Sequence, residues 1–353
     1  HDGRWWSRYR GRKRAVVALM LCSRAELEAH LAEAGDAREQ HLDGVDLRGV
    51  VLADVSFVGA TFQSCNARGA SLRGCRFDGA AFDDVDLRDA DLSGASLVGV
   101  DLSEAQLDGI ILRGADLREA VALGVDFRRG GPPANAEHAT LTGARFDELD
   151  LRHTRLSGAT LDGCVFEDAE LAGVAAFGAS FRGATLSDCG LAGAQLVDAN
   201  LEDAVLDGAD LAGANLTRAK LDGAHLDGVR LSTVVLEDST WRGADIADVE
   251  DLGDVDFSTV DFGGVILRGA NLDQLDLSHA KLSDADLSEC SCVGTDFRRA
   301  MMSMTRMVGC RTRGARFEGA ILNAVDFTDA DLSDTDFSGS QFLNCVVTGA
   351  DLR

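Results

Sequence analysis

Nine cysteines are the residues of this sequence best suited to bind a metal ion or form disulfides. Seven of them occupy one small-residue position of the repeating pattern described below, where they alternate with Ala and Val: Cys65, Cys75, Cys164, Cys189, Cys290, Cys310 and Cys345. Cys292 stands at a position otherwise held mostly by Leu or Phe. We therefore interpret these thiols as core side chains rather than metal ligands. Cys290 and Cys310, twenty residues apart, could suit a disulfide, but the cytoplasmic setting that we expect favours free thiols.

Motifs for catalysis or cofactor binding are absent from the sequence. His153, His225 and His279 have no second metal ligand at a useful spacing, and none of the three lysines completes a phosphate-binding loop. The zinc motif HExxH and the hydrolase motif GxSxG are also missing. Acidic pairs occur throughout, so no pair stands out as a general acid and base. The sequence predicts no enzyme, no cofactor and no metal site.

Acidic residues dominate the charge of the chain. There are 59 Asp and Glu against 34 Lys and Arg, which gives a net charge of −25. This charge disfavours binding of nucleic acid or an anionic membrane by the body of the protein, and no apolar run is long enough to span a membrane. Acids are densest between residues 237 and 261, and we take them as a candidate partner-binding patch: Glu237, Asp238, Asp245, Asp248, Glu250, Asp251, Asp254, Asp256 and Asp261.

A five-residue repeat must position all of these side chains. From Leu42 onward nearly every fifth residue, here called the centre, is large and apolar, and the residue two places before it is small. The pattern Ala90-Asp91-Leu92-Ser93-Gly94 is typical, and its period matches neither a strand nor a helix. Two inward and three outward residues per unit require a turn in each unit. Four such turns close a square in about twenty residues, and stacked squares form an all-β solenoid.

Aromatic spacing supports coils of about twenty residues, because large rings stack at equivalent positions of adjacent coils. Four sets of phenylalanines have this spacing: Phe57 and Phe77, Phe62 and Phe82, Phe146 and Phe166, and Phe297, Phe317 and Phe337. The chain also has only 2 prolines, as expected where nearly every backbone N–H enters a ladder.

The pattern A(D/N)LxG resembles that of the pentapeptide-repeat family, as in Ala209-Asp210-Leu211-Ala212-Gly213 and Ala214-Asn215-Leu216-Thr217-Arg218. The resemblance covers residues 40–353 and implies a right-handed quadrilateral β-helix of about fifteen coils. Resistance members of this family are acidic DNA mimics that bind DNA gyrase, a type II topoisomerase, and are thought to dimerise through their C-terminal ends. In this sequence Leu343 and Val346 fall at outward positions near Leu352, and exposed apolar groups at an uncapped end favour end-to-end dimerisation. Leu343, Val346 and Leu352 therefore form a candidate dimer end, which the resemblance fits.

Segments outside the regular repeat divide the chain further. Residues 1–22 form a basic, aromatic leading segment, and a capping-box pattern at Ser23 together with Gly35 predicts a capping helix over 23–35. The leading segment could touch nucleic acid or an acidic protein, or it is a disordered tail or a remnant of expression. The repeat loses phase near 128–135 and again near 247–251, where one extra residue predicts a bulge. Arg128, Arg129, Pro132 and Pro133 form a candidate binding loop, with a tolerated insertion as the alternative.

One band reverses the overall charge: residues 298–317 hold six arginines and no acid. The band is either a partner site or half of a salt ladder, in which Arg306 and Arg316 face aspartates twenty residues away on each side. We favour the ladder.

These observations predict a non-catalytic rod that binds proteins. Its acidity and the resemblance favour a DNA mimic that binds a type II topoisomerase such as DNA gyrase and protects it from a poison. The alternative is an interaction scaffold, or the repeat half of a larger secretion-associated adaptor or effector protein. We expect a cytoplasmic protein that can form a homodimer.

Overall fold

A computed structural model describes residues 19–246, 249 and 255–353. The chain first forms strand β1 (Met20–Leu21) and helix α1 (Arg24–Ala34). The Ser23 side chain accepts a hydrogen bond from the backbone N–H of Glu26, and Gly35 ends the helix with a φ of 76°. Leu27 of α1 is fully buried in the core, so the helix packs onto the first coil.

Short parallel strands mark one side of the solenoid. They are β2 (His41–Asp43), β3 (Thr61–Gln63), β4 (Ala81–Asp83), β5 (Ile321–Asn323) and β6 (Gln341–Leu343). The order is β1-β2-β3-β4 in one sheet and β5-β6 in another. His41 pairs with Thr61 and Thr61 with Ala81, so each coil advances the chain by twenty residues.

Isolated bridges continue this pattern on the other three sides. We number the sides by the residues that open their ladders: side 1 with His41 and Thr61, side 2 with Asp46 and Asn66, side 3 with Val51 and Ser71, and side 4 with Ser56 and Arg76. Each coil therefore contributes one pentad to each side, and sides 2 and 4 lie opposite each other. The predicted solenoid of stacked four-sided coils is confirmed.

The interior is filled by the centres and by the small residues two places before them, which are buried along the rod. The predicted ring stacks are confirmed. Ring centroids lie 5.3 Å apart for Phe57 and Phe77, and 4.9 Å apart for Phe62 and Phe82. The remaining pairs stack as well, with Phe146–Phe166 at 4.9 Å, Phe297–Phe317 at 4.8 Å and Phe317–Phe337 at 5.0 Å. Each buried Leu or Phe contributes about 1.5–3 kcal/mol before entropy is counted.

Two coils differ from twenty residues in length. Asp116 pairs with Asn135, and Asp126 with Arg145, a step of nineteen. The first phase break is therefore a coil shortened by one residue. Thr240 pairs with Asp261, a step of twenty-one, so one extra residue lies between them.

The candidate loop forms part of the wall of the shortened coil. A 3-10 turn spans Phe127–Arg129, and Arg128 binds Asp126 at 2.7 Å. Pro132 is half-buried. Pro133 is buried, and its carbonyl accepts a hydrogen bond from the Thr154 hydroxyl at 3.0 Å. The prolines remove N–H groups where one residue is missing, so they suit this irregular coil.

Candidate partner-binding surface

The aspartate before a centre is a hydrogen-bond acceptor for the chain's own backbone. Asp46 accepts from the N–H of Arg48 at 3.1 Å, and Asp150 accepts from the N–H of Arg152 at 3.1 Å. The arginine side chains also bind these carboxylates, at 2.6 Å and 2.8 Å. These arginine hydrogen bonds are the main reason that the pKa values of Asp46 and Asp150 fall to about 2. The carboxylates at this position therefore stabilise the turns of the fold.

A second acidic position has a conformational cause. The residue two places after most centres adopts positive φ, and it is most often glycine. Asp168 and Asp188 adopt the same conformation, each with φ of 56°. Aspartate and asparagine tolerate this left-handed region better than other side chains. Part of the acidity of the chain thus follows from its turns and does not by itself indicate a partner.

Seven carboxylates form a continuous acidic strip on side 2 and the turn that follows it. They come from six successive coils, whose centres run from Phe146 to Ile246. No ion pair involves them within the described residues, and their members are Glu148, Glu167, Asp168, Asp188, Asp207, Asp227 and Asp245. Arg145, the one arginine on this stretch of side 2, is held by Asp147 at 3.2 Å. With about 4.8 Å per coil, the strip extends about 24 Å along the rod.

The patch expected from local acid density is divided among several sides. Glu237 and Asp238 lie on side 4, and Asp256 lies on the same side one coil later. Asp245 lies on side 2 and Asp261 on side 1. Asp248, Glu250, Asp251 and Asp254 are outside the described residues. Each twenty-residue coil places residues that are close in sequence on different sides, and it places residues twenty apart next to each other. The density of acidic residues along the sequence therefore does not predict the acidic strip.

The apolar residues of the candidate dimer end are exposed in the last coil. The exposed fractions of Leu343, Val346 and Leu352 are 57%, 45% and 65%. Leu332, the residue one coil before Leu352 in the side 3 ladder, is buried.

The basic band is partly a salt ladder. Arg298 and Arg316 both bind Asp296, at 2.6 Å and 2.7 Å, and Arg313 binds Asp334 at 3.2 Å. The pairing expected between Arg316 and Asp296 is therefore confirmed. Arg306 pairs through its backbone with Asp286 and Asp326, but no ion pair involves its side chain in the described part of the chain.

The thiols of the repeat lie in the core, as interpreted from their positions. All are free, and those at inward positions are buried except Cys345, which is half-buried. The Cys164 thiol donates to the carbonyl of Leu141 at 3.1 Å, and burial raises its pKa to about 12. This hydrogen bond lets cysteine replace alanine in the core without leaving a polar atom unpaired.

Comparison with known proteins identifies the repeat. A family model described as pentapeptide repeats matches residues 36–66, 56–94, 95–129, 134–168, 165–203, 194–232, 251–288, 276–311 and 313–353. Among curated proteins, none is significantly similar to this sequence.

Solved structures that match the chain share little sequence with it. HetL, a pentapeptide repeat protein involved in heterocyst differentiation regulation from the cyanobacterium Nostoc sp. strain PCC 7120, is 24% identical, with 93% of this chain and 96% of that chain covered and a TM-score of 0.17. Full-length QnrB1, a plasmid-mediated fluoroquinolone resistance protein, is 18% identical, with 61% and 92% covered and a TM-score of 0.18. A PL6 alginate lyase is 10% identical, with 91% and 83% covered and a TM-score of 0.25. Likenesses at this level carry no functional argument.

None of the helices in the described residues is both long enough and apolar enough to cross a membrane.

Proposed function

We propose, because this chain belongs to the pentapeptide-repeat family, that it is a non-catalytic rod that binds another protein through its surface. Members of the family fold as right-handed β-helices, and the interior of this one is a continuous apolar core. The outward side chains are consequently the part of each coil available for contact. A long polar surface on a rigid solenoid suits binding, because its side chains are fixed at regular intervals before the partner arrives.

The specific partner that we propose is a type II topoisomerase such as DNA gyrase, which the rod protects from a poison by occupying its DNA-binding surface. Residues 1–14 carry six basic groups and one acid, so the other 339 residues carry −25 − 5 = −30. Residues 40–353, which form the coils, carry −27 of this charge. Over about fifteen coils of 4.8 Å that is about one charge per 2.7 Å, against about one per 1.7 Å in B-DNA.

The acidic strip is the observation that supports this proposal. Many aspartates bind the chain's own arginines and backbone, and this lowers their value for a partner. The strip carboxylates have no ion pairs within the described residues, although Asp207 accepts a hydrogen bond from the backbone N–H of Asp227 at 3.0 Å. They follow one side of the rod as phosphates follow a duplex strand. Removing water from them costs least when arginine and lysine side chains of the partner replace it.

Pull-down of gyrase and supercoiling with and without a fluoroquinolone, at several salt concentrations, test this proposal. A strip variant, E167Q/D168N/D188N/D207N/D227N, removes five charges and should weaken binding and protection more than tenfold. The control variant D43N/D54N/D83N/D84N/E104Q has the same net charge but leaves the strip intact, and it should bind like the wild type. No binding of the wild type at about 50 mM salt, or equal losses in both variants, would contradict the proposal.

The alternative function is an interaction scaffold within a larger adaptor or effector protein. The basic residues of the leading segment, with Trp5, Trp6 and Tyr9, favour it because such a segment can bind acidic or aromatic surfaces outside the solenoid. A further domain encoded upstream of His1 in the gene would support the scaffold, and gyrase protection by the present chain would argue against it.

A further inference from the structure

The hydrogen-bonded ladder of side 2 is open between two adjacent coils. In regular coils the N–H of a centre donates to the carbonyl nineteen residues later, as from Leu87 to Gln106 at 3.0 Å and from Leu102 to Val121 at 2.9 Å. The matching bond from Leu107 to Asp126 is absent, although both residues are described. Gln106 pairs with Asp86 on the preceding coil and has no partner on the following one. The wall of the solenoid is therefore interrupted at this point.

The interruption lies directly beside the shortened coil. Phe127 donates its N–H to the carbonyl of Arg145 at 2.9 Å, and its ring stacks on Phe146 at 4.6 Å. Gly130 and Gly131 both donate to the carbonyl of Phe127, so the chain turns on itself there. This segment keeps the regular bond to the coil that follows it, whereas no backbone hydrogen bond joins Asp126 to Ala105 or Leu107 on the preceding coil.

A cleft of about 390 Å³ opens at this place. Four apolar residues line it, Leu102, Ala105, Leu107 and Leu123, together with Ser103, Asp108, Gly109, Gly124 and Asp126. Leu107 is half-buried, whereas the centre one coil earlier, Leu87, is fully buried. Leu123 is 48% exposed at the rim. The volume lies in the usual range of ligand sites, and its leucines can contact one large side chain inserted between them.

We propose that this cleft binds an extended peptide segment of a partner protein, which inserts one large apolar side chain and pairs its backbone with the open ladder. The unpaired backbone groups at the two edges of the opening can pair with a further strand. The cleft between these edges gives specificity for the inserted side chain. Asp108 lines the cleft, and no ion pair involves it among the described residues. The peptide should therefore carry basic residues on either side of its apolar anchor.

This site goes beyond the proposed function, because it does not depend on the acidic strip or on a topoisomerase. The strip begins at Glu148, on the coil after the cleft, and its carboxylates do not line the cleft. The peptide site can be present even if the protein does not bind gyrase, and the protein can bind gyrase even if the peptide site is absent. The two proposals can be tested separately on the same full-length protein.

Amide hydrogen exchange tests the opening itself. The N–H of Leu107 should exchange at least tenfold faster than those of Leu87 and Leu102, whose ladder bonds are intact. Protection of the Leu107 amide equal to that of Leu102 in the free protein would overturn the proposal, because the ladder between the two coils would then be intact.

A labelled peptide tests the ligand. The probe is a fluorescein-labelled Lys-Thr-Lys-Val-Trp-Val-Lys-Thr-Lys, followed by fluorescence anisotropy with the full chain. We expect saturable binding and slower exchange of the Leu107 amide in the complex. L123E places a carboxylate at the rim and should weaken binding at least tenfold, and so should A105W, which fills the cleft.

The matched control is F177E. Phe177 is 46% exposed and holds the same place after its centre as Leu123 does, but it lies on side 4. This variant should bind the probe like the wild type. Binding weaker than about 1 mM by the wild type, or an equal loss in F177E, would overturn the peptide site.

Discussion

Many individual aspartates in this protein accept hydrogen bonds from the chain's own backbone. The residue before each centre is Asp or Asn in many coils, and its side chain accepts the N–H two residues later, as Asn66 does from Arg68 at 3.1 Å. Asparagine supplies the same acceptor without a charge. The second position of the A(D/N)LxG pattern therefore requires a hydrogen-bond acceptor and not a negative charge. The negative charge of these aspartates is available to a partner protein only where the carboxylate has no ion pair within the chain.

The pH dependence of stability should reflect these carboxylates. The folded pKa values of Asp46 and Asp150 are about 2, below the usual value near 4. Their contribution is therefore fully present above about pH 4 and is lost as the pH falls toward 2. Urea unfolding between pH 5 and pH 2 should show this loss, and the D46N/D150N variant should show a smaller one. A variant with the wild-type pH dependence would contradict this account.

The left-handed turn position should accept only some side chains. D188N should change the free energy of unfolding by no more than a few tenths of a kcal/mol, because asparagine tolerates positive φ. D188V should destabilise by about 1–2 kcal/mol, because a β-branched side chain is strained there. Urea unfolding of both variants gives the comparison, and equal stability of the two would show that the turn does not impose the constraint.

At the scale of the elements, packing along the rod is carried by columns of rings. Phe146 lies between Phe127 at 4.6 Å and Phe166 at 4.9 Å, and all three rings are buried. F146A should cost about 3–5 kcal/mol, and the loss should be local, because each coil contacts only its neighbours. Limited proteolysis and amide exchange should locate it near coils 127–166. F177A, which removes an exposed ring, should change stability by less than about 0.5 kcal/mol.

The same columns show how far the sequence determines the fold. The period of five predicts the inward residues, and the phenylalanines at intervals of twenty predict the stacks. The open ladder at Leu107 is different, because Ala105-Gln106-Leu107-Asp108-Gly109 matches the repeat fully. Its opening lies next to the shortened coil, and no property of its own five residues indicates it.

At the scale of the whole molecule, charge has to be assessed by side and coil. The acids between 237 and 261 are dense in sequence, yet Asp245, Asp256 and Asp261 lie on three different sides. The acidic strip joins residues from Glu148 to Asp245 across nearly a hundred positions. Finding it from sequence requires the register of the coils, which the steps of nineteen and twenty-one shift along the chain.

The exposed last coil leads to a prediction about assembly. We expect a homodimer in which Leu343, Val346 and Leu352 of two copies pack against each other, since burying these side chains removes apolar surface from water. L343E should shift the protein to monomer, because a carboxylate in an apolar contact is not compensated by a partner charge. Sedimentation velocity over a range of concentrations measures the shift. F177E, with a similar exposed ring on side 4, serves as the control and should leave the dimer intact. A wild-type chain that remains monomeric at about 0.1 mM would show that this surface does not associate with itself, and it would leave the acidic strip to act on a single rod.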